Sequence, residues 1–208
     1  MKVVTYNIHK GMDKNNKLTL DKIGRYLKVL NCNVICLQEV LYKQYIELKK
    51  FINMDGVFVA NVKEKLYGIC IFTNYKITFN EHILLTSKKE QRGFLSVTIL
   101  NKEKINIINT HLGLDIEERY IQISEIMDYI NKIGGKTILC GDFNQKNIAL
   151  NTFIDSACCN NSYNMCTFSE SNSRIDYIYF NYKVDIKNYL VDNIDLSDHY
   201  PVIVDILG

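Results

Sequence analysis

The sequence predicts an α/β chain in which two mixed β-sheets pack against each other with helices outside. Three observations lead there. Short apolar runs rich in β-branched and aromatic residues recur along all 208 residues, bounded by Gly, Asn and Lys. Two stretches carry apolar residues at helical spacing instead. The order mixes adjacent strands with strand–helix–strand units, which two packed mixed sheets with helices outside would satisfy.

Taken in order, the first run is Val3-Val4-Thr5-Tyr6-Asn7-Ile8-His9. Thr19 is then placed to N-cap a helix with Leu20, Ile23, Leu27 and Leu30 on one stripe. Val34-Ile35-Cys36-Leu37-Gln38-Glu39 follows, then a short helix around Tyr42 to Phe51. Val57 to Ala60, Gly68 to Phe72, Phe94 to Leu100 and Ile105 to Ile108 read as strands, and Asn101 to Lys104 as a hairpin turn. Asp115 with Glu118 resembles a capping box before Ile116, Ile123, Ile126, Met127, Ile130 and Ile133, and Gly134-Gly135 ends that helix. Ile138 to Asn144, Arg174 to Phe180 and Ser197 to Val204 are the last strand-like segments. No repeat or Pro/Ser-rich linker divides the chain, so a single domain over residues 1–208 is expected.

Composition narrows the function classes. Hydrophobic residues make up 47%, charged residues 23%, and the formal net charge is +2, which does not by itself call for a polyanionic partner. The seven Cys form no C-x-x-C pair, which disfavours a zinc site. With Cys36, Cys70 and Cys140 inside apolar runs, they fit a reducing compartment. No leader and no membrane span is visible. A cytoplasmic monomer is the expectation.

Six of the runs meet a polar cluster. Four carry it at their end: Asn7 to His9, Gln38-Glu39, Asn109-Thr110-His111 and Gly141-Asp142-Phe143-Asn144. Two carry it at their start: Arg174-Ile175-Asp176 and Ser197-Asp198-His199. If the first four strands run one way and the last two the other, all six clusters meet at one rim. Each cluster alone has a structural explanation as a turn, a helix cap or a polar loop. Together they hold three of the four His, with only His82 outside, and that convergence favours a site. Glu39 ends an uncharged run and suits a hard cation. Asp176 lies in an apolar strand and needs a buried partner, for which a His is suited.

The order Asn7, Gln38-Glu39, Thr110-His111, Gly141-Asp142-Phe143-Asn144, Arg174-Ile175-Asp176-Tyr177 and Ser197-Asp198-His199 resembles the endonuclease/exonuclease/phosphatase superfamily. That superfamily includes DNase I, abasic-site nucleases of the exonuclease III type, neutral sphingomyelinases and inositol polyphosphate 5-phosphatases. The likeness runs from Thr5 to Val204. The Thr5-Tyr6-Asn7-Ile8-His9-Lys10-Gly11 opening looks most like its small bacterial members of uncertain substrate. The resemblance implies a four-layer α/β/β/α sandwich and Mg²⁺- or Mn²⁺-dependent hydrolysis of a phosphate ester, most simply a diester. It implies metal binding by Glu39 with Asn7 and Asp198. It also implies placement of the attacking water by Asp142 and Asn144, and phosphate contact by His199, oriented by Asp176, and by His111. A Tyr usual near His111 in the abasic-site branch is missing, which disfavours that branch. His9, Lys10 and Arg119 are weaker candidates for substrate contact, and Lys88-Lys89 with Arg92, or Lys14 and Lys17, for a basic rim. Nucleic acid, a phospholipid head group and a small phosphodiester all remain open as substrates, and a non-catalytic binding protein of the same fold is the reading from another class.

Overall fold

The structure, a computed structural model, describes residues 1–207, Asn160 by its backbone only; Gly208, the last residue of the expected domain, lies outside them. In chain order the elements are β1 (Lys2–Asn7), α1 (Leu20–Leu30), β2 (Val34–Leu41), α2 (Tyr42–Ile52), β3 (Asp55–Val62) and β4 (Tyr67–Thr73). After these come β5 (Lys76–Leu84), β6 (Gly93–Asn101), β7 (Glu103–His111), α3 (Ile116–Ile133), β8 (Lys136–Asp142) and β9 (Ile154–Asp155). The last three are β10 (Asp176–Phe180), β11 (Ile186–Val191) and β12 (Val202–Ile206).

These strands make two six-stranded mixed sheets, ordered β11-β12-β1-β2-β4-β3 and β5-β6-β7-β8-β10-β9. Alternation explains why the central runs are apolar throughout: both faces are covered, so odd and even side chains both need apolar company. Val3, Val34 and Val204 point from the first sheet into the layer between the sheets, meeting Val97, Ile107, Ile138 and Ile178 from the second. Their neighbours Val4, Ile35 and Ile203 face outward, beneath Ile23 and Leu27 of α1 and Leu48 and Ile52 of α2. On the far side Ile108, Leu139, Tyr177 and Tyr179 lie beneath Ile126 and Ile130 of α3. The expected four layers are therefore present.

Each expected helix is found, with differences in its details. Thr19 stands at the N-cap of α1, but its hydroxyl donates to the Leu196 carbonyl at 2.6 Å instead of capping. The Asp115 carboxylate does accept from the Glu118 backbone N–H at 2.9 Å. The Glu118 side chain does not close the box; it accepts from Gln122 at 2.9 Å. Ile116 and Ile133, expected to line one side of that helix with Ile126 and Ile130, are exposed at its two ends, while Ile126 and Ile130 are buried. Three strands had no expectation in the sequence, β5, β9 and β11; β5 is an edge strand exposed over much of its length and lacks a continuous apolar run.

Strand direction decides where the polar clusters go. β1 runs parallel to β2, and β7 parallel to β8. β12 runs antiparallel to β1, and β10 antiparallel to β8. Strand ends of the first four and strand starts of the last two thus share one rim, as expected.

One buried amide joins the sheets just below it. The β2–β4 register slips between Leu37 and Val40, leaving Gln38-Glu39 in a bulge opposite β4. Asn109 of β7 reaches across and donates to the carbonyls of Leu37 (3.0 Å) and Cys70 (2.9 Å), while accepting from Gln38 Nε2 at 2.7 Å. In the sequence Asn109 stood out only as the first residue of the cluster that ends at His111. Asn109→Ala is expected to destabilise the fold by about 2–4 kcal/mol in urea titrations, because it strands buried carbonyls worth about 1–3 kcal/mol each.

Candidate active site

At the rim the backbone itself is unusual. His9 (φ 44°), Lys10 (φ 53°), Glu39 (φ 56°) and Asn144 (φ 51°) all adopt the left-handed region. Such residues cost energy and cluster where a fold holds side chains for a task. Gly141, just before Asp142, has φ 143°, and a Cβ there would collide with the Thr110 backbone. The glycine lets β8 approach β7 closely, which brings Asp142 level with His111 in register.

Asp142 is the hub. Its side chain is 1% exposed. Oδ1 accepts from the Asn144 backbone N–H at 2.8 Å, and Oδ2 accepts from Asn7 Nδ2 at 3.0 Å. Two imidazoles face that same Oδ2: His111 Nε2 at 3.4 Å and His199 Nε2 at 3.6 Å. Burial, and after it the charge on Asp176, push the Asp142 carboxyl up to about 7. Behind His199, Nδ1 meets Asp176 Oδ2 at 2.9 Å. Burial pulls His199 down, but Asp176 and Asp142 outweigh it and raise the imidazole to about 10. Phe168 covers the ring, with centroids 4.6 Å apart. His111 goes the other way: burial first, and then the Arg92 guanidinium, hold it well below the ordinary histidine value.

Glu39 lies beside this cluster, 20% exposed, with Oε1 3.4 Å from Asn7 Nδ2 and Oε2 3.9 Å from Lys10 Nζ. Asn7 therefore places its amide between two carboxylates, Asp142 and Glu39. Asp198 accepts from Ser197 Oγ at 3.1 Å and has His9 Nδ1 at 3.7 Å. Ser197 Oγ also donates to the Asn7 carbonyl at 2.8 Å, tying the last cluster to the first. Asn144 Nδ2 donates to the Leu112 carbonyl at 2.9 Å.

Lys10 lies near Glu39 and over the Tyr67 ring, 5.5 Å from its centroid. Arg119 is almost buried; its Nε donates to Gln145 Oε1 and its Nη1 to the carbonyls of Gly113 and Leu114, so it braces the loops after β7 and β8. Of the expected basic rim, Lys88 pairs with Asp115 and Glu117, Lys14 pairs with Asp195, and Arg92 is buried beside His111 and Glu90. Arg92 was offered by the sequence only as surface charge. Its place one residue before the strand that pairs with His111 is the signal that relocates it.

Two places suit a divalent cation by donor chemistry. Ligand atoms of Asp142, Asp176 and His199 lie within 4.8 Å of one another, but that cluster is buried and its Asp176–His199 contact is already a hydrogen bond. Glu39 offers carboxylate oxygens that have only long contacts and open to solvent, beside Asn7. Mg²⁺ prefers oxygen ligands and retains water, so Glu39 fits it better; Asn7 turns its Nδ2 toward Glu39, while its Oδ1 accepts from the His9 backbone N–H at 3.1 Å.

A stacked pair of mixed sheets, flanked by helices and gathering acids, amides and imidazoles where the sheets meet, is a DNase I-like fold. Residues 4–199 match the Endonuclease/Exonuclease/phosphatase family, and the chain belongs to that family, whose members are phosphoesterase hydrolases. No curated protein matches the chain in sequence. Among solved structures, a conserved protein of unknown function from Enterococcus faecalis V583 superposes with a TM-score of 0.86 at 18% identity, covering 100% of both chains. The mannosyl-6-phosphatase of Bacteroides thetaiotaomicron VPI-5482 gives 0.84 at 16% identity, again over 100% of both. A humanized D. rerio TDP2 gives 0.82 at 17% identity over 100% of this chain and 99% of its own. At these identities the likeness establishes the fold.

Proposed function

We propose that the chain hydrolyses phosphodiesters with the help of a divalent cation, Mg²⁺ or Mn²⁺. The observation that carries this reading is the Asp176–His199–Asp142 array, 2.9 Å and 3.6 Å between successive groups, buried at the junction of both sheets. Glu39 and Asn7 would hold the cation, with Asp198 as a further oxygen donor nearby. A cation there supplies positive charge against a phosphate that otherwise repels an anionic nucleophile.

The chain's own groups divide the remaining work. Asp142, with a carboxyl near neutrality, is matched to accept a proton from water at pH 7. Asn144 orients that carboxylate through its backbone N–H and its own amide is pinned by Leu112. His199, kept protonated by Asp176, donates toward phosphate oxygens as charge builds. His111 offers a second N–H to the same spot. His9 and Lys10, on the first loop, are placed to meet the ester's outer groups, and Arg119 serves through the loops it braces.

The test is hydrolysis of a bis-aryl phosphodiester, a mono-aryl phosphate, plasmid DNA and phospholipid vesicles, with Mg²⁺, with Mn²⁺ and with chelator. Diester cleavage lost on chelation is the expected result; metal-independent cleavage, or turnover of the mono-aryl phosphate alone, overturns the reading. The DNA arm tests a nuclease, for which net charge +2 offers little phosphate-tracking surface. Failure on all substrates would favour a binding protein that keeps the fold. Asp176→Asn is expected to lower kcat by about 10²-fold or more, with KM changed far less, since it removes the charge that holds His199 protonated and oriented. We further place the chain in a reducing, cytoplasmic setting, as a monomer. All seven cysteines are free thiols, and no helix among the described residues is long and apolar enough to cross a membrane.

A further inference from the structure

We propose that Arg92 locks His111 into one tautomer, with its proton on Nε2, so that His111 is a fixed hydrogen-bond donor and takes no part in proton transfer. Arg92 is then a positioning residue for the reaction proposed above, on which its functional part rests.

A guanidinium carries only N–H donors and stays charged, so any group facing it must accept. Arg92 Nη1 lies 3.2 Å from His111 Nδ1. That nitrogen therefore presents its lone pair, and the ring proton is on Nε2. Nε2 in turn points at Asp142 Oδ2, 3.4 Å away, where a donor is welcome. Turning the ring over would leave a guanidinium that is 8% exposed facing carbon.

Protonating Nδ1 would set an N–H against the guanidinium N–H. The charged neighbours of His111 are Arg92, just ahead of β6, Asp142 on β8, His199 before β12 and Lys10 in the first loop. Glu90 accepts from Arg92 Nη1 at 2.9 Å and balances the guanidinium, not the imidazole. His199 has the opposite arrangement, because its Nδ1 faces a carboxylate. The two rings converge on one oxygen from unlike supports: a cation behind His111 and an anion behind His199. A guanidinium behind an imidazole thus makes a rigid neutral donor out of a residue type usually used to shuttle protons.

Long-range ¹H–¹⁵N correlation spectra of the imidazoles decide it without reference to activity. Wild-type His111 is expected to show the neutral Nε2–H pattern unchanged from pH 5.5 to 8. Arg92→Lys, which keeps a donor-only cation, is expected to retain that pattern. Arg92→Glu supplies an acceptor and is expected to move the proton to Nδ1 and allow the ring to charge. A wild-type ring that carries its proton on Nδ1, or that charges within this range, overturns the proposal, as does an unchanged tautomer in folded Arg92→Glu. Should Arg92→Glu fail to fold, the wild-type and Arg92→Lys spectra still decide. On the bis-aryl diester, Arg92→Glu is expected to lower kcat by about 10²-fold, the scale of one lost preorganised donor. A protein with the expected tautomer but no hydrolysis in any form would overturn the proposed function and leave the tautomer assignment standing.

Discussion

Asp142→Asn is expected to reduce the cation-dependent hydrolysis rate by about 10²–10⁴-fold and, in the same protein, to raise the melting temperature. The rate loss follows from removing the one carboxylate that both Asn144 and Asn7 hold in place, on the usual scale for a general base. Stability moves in the opposite direction because the carboxyl is raised in the folded state to about 7. A carboxyl raised on folding binds more protons folded than unfolded, so it erodes stability as pH climbs from about 4 to 7 and leaves the full penalty above that. An amide of the same shape carries no such penalty. Melting in chelator at pH 7.5 is expected to rise by several degrees in the variant, with the gain fading at pH 4. His199 adds to the same slope: its raised value gives stability that is whole below about 6.5 and lost as pH approaches 10. Equal melting temperatures at pH 7.5, or retained turnover, would remove Asp142 from the centre of the site.

The second large effect belongs to Glu39. Glu39→Ala is expected to lower turnover by about 10³-fold, since a cation that polarises phosphate supplies several kcal/mol and each 1.4 kcal/mol is tenfold. The same change should abolish Mg²⁺ binding in calorimetry while leaving the fold intact. Glu39 is held at φ 56° in the β2 bulge, a conformation that costs an alanine about as much as a glutamate. Glu39→Gly should therefore be equally inactive but more stable than Glu39→Ala by about 1 kcal/mol. Full cation affinity in either variant would send the metal to the buried Asp142–Asp176–His199 cluster instead.

Much of this arrangement was legible in the residues. Val3 to Asn7, Val34 to Leu37 and Ile138 to Asp142 announce strands buried on both faces, because no alternation interrupts them until the polar cluster begins. The six clusters could be gathered at one rim by strand direction alone. β5 was not legible: Lys76, Thr78, Asn80 and Glu81 stand among its apolar residues, as an exposed edge strand allows. Nor could the sequence foresee Asn109 spanning the sheets or Arg92 turning inward, since both depend on registers and a bulge that no local pattern encodes. Helical spacing likewise says which residues share a stripe but not how far burial extends along it, so the exposure of Ile116 was not foreseen.

The rim draws Asn7, Glu39, Asp198 and His199 from one sheet, or the loop leading into it, and Asp142, Asn144, Asp176 and His111 from the other. Apart from the Asn109 amide, what separates those two sets is set by the thickness of the aliphatic layer of Val3, Val34, Ile107, Ile138 and their neighbours. In the proposed mechanism, methyl groups deep beneath the rim, touching no reactant, would act as spacers between the proposed cation side and the proposed proton-transfer side. Trimming or enlarging one of them is then expected to change the rate of the proposed hydrolysis through sheet separation, which would make hydrophobic volume a kinetic variable.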